Sequence, residues 1–305
     1  MTKLSPLASV SETRATLEAH GLSTKYSLGQ NFLINDGILQ KIVALADLEP
    51  DDYVLEVGPG IGTLTIALLK TAGRVLSVER DPDLPAVLVE TLAPWADRFT
   101  LISKDALDLT TKDVQAARAE ASGALPNKFV ANLPYAVAAT VVLDYFELFP
   151  SLDSATIMVQ KEVADRMAAH PGSKNYGAYT VKLRLYAEPA GRFAVGPGNF
   201  FPPPRVDSAV LRLNRRPVCD DAGVPLDAAA IAAACTMAEA AFATRRKTLS
   251  NSCKTYFAGR GAAGARIIAA LPQLFERAGV DPKLRGETLD VPAFVRLGKA
   301  YQDLA

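Results

Sequence analysis

The chain has 305 residues, 49% of them hydrophobic and 22% charged, with a formal net charge of zero. That length suits one large domain plus a small one, and that balance is ordinary for a globular protein. No apolar run reaches the roughly 18–20 residues of a membrane span, and zero net charge gives no whole-molecule reason to expect a nucleic acid.

Residues 1–24 mix polar and charged groups without the apolar core of a signal peptide. They read as an N-terminal extension, and the cytoplasm is the expected compartment. Next comes Ser27-Leu28-Gly29-Gln30-Asn31-Phe32-Leu33, polar then apolar, before the first long helix. It is either an ordinary loop or one whose Asn31 side chain and Leu33 backbone close over a ligand.

From there, short apolar runs alternate with helix-compatible stretches. Runs at 53–57, 74–78, 99–103, 128–131 and 155–159 read as strands, and 62–71 and 85–92 as helices. Such alternation predicts an α/β fold, a parallel sheet with helices on both faces. Two later runs, 180–186 and 208–213, flank a Gly/Pro-rich segment and are expected to close the sheet as a hairpin. After Arg216 the composition shifts. Residues 220–225 read as a linker, and 227–243 as an Ala-rich helix with few strand formers beyond it. The expected division is therefore 1–216 and a small helical domain, 217–305.

The first strand runs into Glu56-Val57-Gly58-Pro59-Gly60-Ile61-Gly62-Thr63, a glycine-rich turn before a helix. Gly58 and Gly60 let the backbone approach a ligand closely. The spacing is GxGxG rather than the GxGxxG of dinucleotide sites, which suits a small carboxylate such as a methionine moiety better than a pyrophosphate. Glu79 closes the next strand about twenty residues further on, where an acid can accept from ribose hydroxyls. Asp105 follows the third strand and is placed to accept from an adenine amine. Three such features at successive strand ends point to a nucleoside cofactor.

Asn132-Leu133-Pro134-Tyr135 follows the fourth strand. An exocyclic amine of a base is a poor nucleophile because its lone pair is delocalised into the ring. The Asn132 side-chain oxygen and the Leu133 carbonyl offer two acceptors for its two hydrogens. Pro134 has no N–H and biases Leu133 toward extended backbone, and Tyr135 can stack on the base. A plain strand ending in a proline turn is the alternative reading of these four residues alone.

Two histidines and three cysteines without a CxxC pair leave no parts for a zinc site, a disulfide framework or a His-based triad. No metal is expected, and the chemistry should need little proton shuttling. Between positions 240 and 275 lie Arg245, Arg246, Lys247, Lys254, Arg260 and Arg266 without one acid. That is either a solvated helix face or a local phosphate-binding face.

Together these residues resemble the KsgA/RsmA family of small-subunit ribosomal RNA adenine dimethyltransferases. The likeness spans nearly the whole chain. It rests on GQNFL at 29–33, EVGPGIGTLT at 56–65, Glu79, Asp105, NLPY at 132–135, QKEVADR at 160–166, PGSKNYG at 171–177, FFPPPRVDSAV at 200–210 and FATRRKTLSN at 242–251. The resemblance implies a Rossmann-like class I methyltransferase domain with a small helical RNA-binding domain, and S-adenosylmethionine as methyl donor. It implies that Asn31, Leu33, Gly58, Glu79, Asp105 and Asn132 face the cofactor, that Asn132, Leu133 and Tyr135 hold the target adenine, and that Phe201 packs on the other side of the base. It implies as substrate two neighbouring adenosines near the 3′ end of the small-subunit RNA, each methylated twice during late subunit assembly, with the small ribosomal subunit as partner. Nothing in the sequence demands more than a monomer.

The chain departs from the family pattern in having Arg205 where Lys is common, Ala136 where a polar residue is common, and a long charged stretch at 106–127 that reads as a loop insertion. Small residues at Ala131 and Ala136 would leave room for a first methyl group. Arg245, Arg246, Lys247 and Lys254, with Arg205, are the expected RNA contacts. Rival readings are methylation of large-subunit RNA, methylation of a DNA amine, a non-catalytic assembly or transcription factor on the same fold, and, on the wrong glycine spacing, a dehydrogenase.

Overall fold

The computed structural model describes residues 3–25, 29–120 and 123–304. These fall into two compact units, residues 1–164 with 189–215, and residues 165–188 with 216–305.

The first unit opens with helix α1 (Val10–Ala19), N-capped by the Ser9 hydroxyl, which accepts from the Glu12 N–H. Far from trailing free, this N-terminal segment is packed. Leu7, Ala8 and Leu17 join the core, and the Asp36 carboxylate accepts from the N–H groups of Leu4 and Ser5. Short strand β1 (Phe32–Leu33) leads into α2 (Asp36–Ala46).

Then the sheet begins: β2 (Tyr53–Val57), α3 (Thr63–Leu69), β3 (Arg74–Glu79), α4 (Leu84–Thr91), β4 (Phe99–Ser103), α5 (Thr111–Glu120), β5 (Lys128–Asn132), α6 (Ala138–Leu148) and β6 (Ser154–Gln160). After an excursion through the second unit come β7 (Ala187–Val195), β8 (Phe200–Phe201) and β9 (Ser208–Arg215).

Seven strands lie in the order β4-β3-β2-β5-β6-β9-β7. The first five are mutually parallel, and β9 runs antiparallel to β6. Strand β2 is buried along its whole length because helices cover both sheet faces. Along β5, Val130 joins the core around α2 and α3, while the Phe129 ring meets Tyr145 of α6 at 5.1 Å. That alternation is the period of two expected of a strand. Chain order reverses at the β2–β5 pair. A ligand crevice forms at such a switch point, beyond the carboxyl ends of the strands.

Helix α7 (Lys161–Met167) continues directly from β6. The second unit contains α8 (Ala178–Arg184), α9 (Ala228–Phe242), α10 (Leu249–Ala258), α11 (Gly261–Ala278) and α12 (Val291–Gln302). Asp227, Thr248 and Asp290 cap α9, α10 and α12 through side-chain oxygens. The many alanines of α9 let α12 come very close: a Cβ added at Gly298 would sit 2.6 Å from the Ala234 nitrogen.

Three sequence expectations need correction. The hairpin partner of β9 is not 180–186. That stretch lies mostly in α8, and the strand starts at Ala187. The Thr-Val-Lys-Leu-Arg-Leu alternation mimics a strand because this short helix is buried on more than one side, with Val181 against Met237 and Ala238 of α9. For the same reason residues 165–188 group with the second unit rather than with 1–216. The Tyr176 hydroxyl donates to the Leu289 carbonyl at 2.8 Å, and Lys182 pairs with Glu239. Finally, much of 106–127 is the crossover helix α5 rather than an inserted loop. Residues 220–225 form a tight turn closed by a Cys219–Pro225 bridge, with the Asp220 carboxylate accepting from two N–H groups.

Among the described residues no helix is long and apolar enough to cross a membrane, and no His/Cys/Asp/Glu group is arranged for a metal. Replacing Gly298 by Ala is expected to cost about 1–3 kcal/mol of folding stability by overpacking the α9–α12 crossing. Denaturant unfolding of the purified variant checks this, and an unshifted midpoint would show slack between the two helices.

Candidate active site

A cavity of about 700 Å³ opens at the switch point within the first unit. Its size falls in the range of small-ligand sites. The turn after β2 forms its floor. Gly58, Gly60 and Gly62 all have positive φ, and a Cβ at Gly60 would come within 3.0 Å of the Phe32 ring. Only glycine lets this backbone lie under β1 while leaving the cavity open. Beside it, Pro134 is the nearest neighbour of a hypothetical Cβ at Gly58, at 3.8 Å. The glycine turn and the Asn132–Tyr135 segment are thus adjacent walls of one pocket.

Glu79 ends β3 with its carboxylate buried on the cavity wall. Burial pushes its pKa up, while N–H groups of Asp81, Gly60 and Arg80 hold it down; the net shift is upward. Its Oε1 accepts from the Asp81 N–H at 2.8 Å. Asp105 also lines the cavity, but its carboxylate is already engaged: Oδ1 accepts from the Leu107 N–H and Oδ2 from Arg80 at 3.0 Å.

Asn132 closes β5. Its Nδ2 donates to the Asn31 carbonyl at 3.2 Å. A carbonyl only accepts, so the amide orientation is fixed by this bond. The Asn132 oxygen is left as an acceptor without a donor among the described residues. Leu133 N–H donates to the Met158 carbonyl at 3.0 Å, the last bond of the β5–β6 ladder, whereas the Leu133 carbonyl takes no hydrogen bond from the described residues. Tyr135 is half-buried, and its hydroxyl shares a 2.6 Å hydrogen bond with Ser208, which holds the ring in place. Leu33 lies on the wall beside Asn31, and β1 is held by antiparallel pairing with β8.

Not every expected residue joins this pocket. Phe201 pairs with Phe32 and its ring lies under the Arg14 guanidinium at 5.4 Å, outside the cavity wall. The residues that follow it, Pro202, Pro203, Pro204, Arg205 and Val206, line the cavity instead. Ala136 lines the cavity, but Ala131 is buried inside β5. Ser27 and Leu28 lie outside the described residues. Arg245, Arg246, Lys247 and Lys254 belong to the second unit and are exposed there. Arg245 is tied to the Lys174 carbonyl and to Glu287.

Sequence reading named the motif containing Glu56 without assigning the residue a part. The structure buries it fully at the cavity floor, with Oε2 accepting from Thr65 (2.7 Å) and Ser77 (2.8 Å). Burial raises its pKa to about 7 against the lowering effect of those two hydroxyls, and the nearby Glu79 charge pushes the same way as burial. Thr63 also lines the cavity, and its buried hydroxyl has no hydrogen-bond partner among the described residues. A carboxylate flanked by apolar neighbours in the strand gives no sequence signal of this kind, because both hydroxyl partners come from other elements.

The family model for ribosomal RNA adenine dimethylases matches residues 21–270. A protein of Arthrobacter sp. named ribosomal RNA small subunit methyltransferase A is 39% identical, the alignment covering 99% of both chains. Its namesake in Rhodococcus erythropolis is 40% identical over 94% of this chain and 91% of that one. Among solved structures, a dimethyladenosine transferase from Plasmodium falciparum shares the fold with a TM-score of 0.70 at 23% identity, covering 87% of this chain and 95% of that one. The 23S rRNA methyltransferase ErmE matches with a TM-score of 0.60 at 27% identity over 89% of this chain and all of that one. Fold and crevice define a Rossmann-like methyltransferase. The chain belongs to the ribosomal RNA adenine dimethylase family.

Glu56 gives this site a pH signature. Its folded pKa, about 7, lies above its ordinary 4.5. Between these values the folded state holds a proton that the unfolded state has lost, so stability falls as pH rises through the window. The expected loss is on the order of 3 kcal/mol. Glu56→Gln should flatten the slope between pH 5 and 8 in denaturant unfolding; an equal slope in the variant would assign the effect elsewhere.

Proposed function

We propose that this protein transfers methyl groups from S-adenosylmethionine to the exocyclic amines of two adjacent adenosines near the 3′ end of small-subunit ribosomal RNA, giving N6,N6-dimethyladenosines. The observation that carries the reading is the pair of acceptors without donors among the described residues, the Asn132 side-chain oxygen and the Leu133 carbonyl, beside a glycine turn in one cavity. The small-subunit names of relatives at 39–40% identity support that substrate over large-subunit RNA.

The pocket's own residues suit such a donor. At Gly60 a side chain would collide with the Phe32 ring on the cavity wall, the Glu79 carboxylate lines the cavity for ribose hydroxyls, and the Thr63 hydroxyl is buried on the wall without a partner among the described residues. Two buried carboxyls, Glu56 and Glu79, favour a cationic ligand over an anionic one. When bound, the donor supplies a methyl group already activated by its sulfonium. Asn31, Leu33, Gly58, Gly60, Glu79, Asp105 and Asn132 are the residues assigned to hold it.

Catalysis by the chain is then mostly placement, which can lower a barrier by up to about 7–11 kcal/mol when reacting atoms are held in line. The adenine leaves its stack to reach the pocket. Tyr135, held by Ser208, stacks on one face, worth about 1–3 kcal/mol, and the proline run at 202–204 lines the same cavity. Asn132 and Leu133 accept the two amine hydrogens, which turns the nitrogen lone pair toward the methyl group. Once methylated, the nitrogen is cationic and acidic, and solvent takes its proton. For the second transfer one acceptor contact is given up, and Ala136 leaves space at the rim.

The second unit is assigned to RNA phosphates. Arg246, Lys247 and Lys254 are exposed and form no ion pair among the described residues, which makes them better candidates than the engaged Arg245. The protein is read as acting in the cytoplasm as a monomer, on the small subunit during its late assembly.

Asn132→Ala is expected to lower methylation of undermethylated small subunits at least a hundredfold, consistent with loss of an orienting acceptor in a site built on placement. Donor affinity should fall only moderately. Mapping of methylated adenines in the reacted RNA checks both rate and position, and turnover equal to the parent would remove Asn132 from the mechanism. Replacing Arg246, Lys247 and Lys254 together by Ala should weaken subunit binding and reduce its salt slope by about three. An unchanged slope in a binding titration would take these side chains off the RNA.

A further inference from the structure

Asp81 lies two residues beyond Glu79 and is only 2% exposed, yet it takes hydrogen bonds on both carboxylate oxygens. Oδ1 accepts from the Lys25 ammonium at 2.6 Å and from the Asp83 N–H at 3.1 Å, Oδ2 accepts from the Gln30 amide at 2.7 Å, and the same Lys25 ammonium also pairs with Asp83. Lys25 and Gln30 are themselves joined, since the Lys25 N–H donates to Gln30 Oε1 at 2.9 Å. Burial pushes the Asp81 pKa up, but these partners outweigh it and the carboxyl stays below its ordinary range. It is therefore a charged anchor at neutral pH.

Two connections run outward from this anchor. The Asp81 main-chain N–H donates to Glu79 Oε1, so the placement of Asp81 orients the carboxylate assigned to the donor's ribose. On the other side, Gln30 directly precedes Asn31 in the chain, and the Asn31 carbonyl holds the Asn132 amide nitrogen and so sets which way the Asn132 oxygen points. Gln30, Asn31, Glu79 and Asn132 all line the same cavity, and Asp81 does not. By fixing its own residue and Gln30, one buried carboxylate outside the pocket thus supports the donor wall through the Asp81 main chain and the acceptor pair through Gln30.

We propose that Asp81 is a positioning residue that couples the two halves of the reaction site, holding Glu79 for the donor and, through Gln30 and Asn31, the Asn132 oxygen for the target amine. This rests on the functional reading above. Coupling through one anchor explains why a side chain with no access to the cavity is charged and doubly bonded. A purely structural ion pair would need Lys25 alone, whereas the second oxygen is spent on Gln30, the residue next to Asn31.

The test uses the full-length protein, undermethylated small subunits and S-adenosylmethionine, with S-adenosylhomocysteine as the calorimetric probe. Asp81→Asn should raise the donor KM and the S-adenosylhomocysteine Kd about tenfold and lower kcat about tenfold, the scale of one lost charge-assisted hydrogen bond. The KM for the subunit should stay as in the parent, a split that general destabilisation would not give. Gln30→Ala should lower kcat with a smaller effect on donor affinity. The double variant should lose no more kcat than Asp81→Asn alone, because both changes cut one path. The proposal is overturned if Asp81→Asn turns over within about twofold of the parent, or if the two losses multiply in the double variant. Should Asp81→Asn not fold, Gln30→Ala decides: a kcat loss with an unaltered subunit KM supports the coupling, and parental kcat overturns it. A parent protein that methylates no ribosomal RNA overturns the functional reading itself. An active parent with an indifferent Asp81→Asn overturns only the coupling.

Discussion

The sheet ladder between β5 and β6 stops one residue too early for Leu133, and the rest of the site depends on that stop. Its N–H finds the Met158 carbonyl, but Pro134 follows, and the carbonyl of Leu133 is left without a partner among the described residues. A backbone acceptor in this state is costly unless water or a ligand serves it. The Asn132 oxygen stands in the same condition one residue earlier, because its amide nitrogen is committed to Asn31. Two acceptors of fixed direction, one on the main chain and one on a side chain held by its bond to Asn31, are what an orienting site needs.

Around this pair the fold concentrates its conformational exceptions. Three glycines with positive φ follow β2, and the tightest of them packs against Phe32 of a two-residue strand. That strand owes its place to pairing with β8 and so to the proline run that follows β8 and lines the pocket. The walls of the cavity are therefore mutually braced, although they come from opposite ends of the first unit's sequence. Burial disfavours the charged forms of Glu56 and Glu79, and the donors that stabilise those forms only partly offset it. In the proposed reading a cationic donor supplies the missing stabilisation.

Local signals in the chain carried much of this. The strand–glycine turn–helix at 53–69, the acid ending β3 and the Asn-Leu-Pro-Tyr segment each have their meaning within a few residues, since backbone permissiveness and a missing N–H are local properties. The same holds for the apolar strands of a sheet covered on both faces. What the sequence hides is set by distant partners. The alternation in 178–185 imitates a strand because the elements that bury it arrive from α9 and α12. Phe201 looks like a base-stacking ring until its pairing with Phe32 and its contact with Arg14 are known. Arg245 looks like its neighbours Arg246 and Lys247, but Glu287 and the Lys174 carbonyl already engage it. Neither the titration of Glu56 nor the double bonding of Asp81 has any trace in residue spacing.

In the proposed reaction the Asn132 oxygen and the Leu133 carbonyl together hold an adenine amine over the glycine turn. A crystal structure with adenosine and a non-reactive analogue of the methyl donor tests it most directly. The account predicts the N6 nitrogen within hydrogen-bond distance of both oxygens, at about 2.7–3.2 Å, with its free side facing the analogue. A base bound elsewhere, or an N6 touching neither oxygen while the analogue fills the pocket, would contradict it.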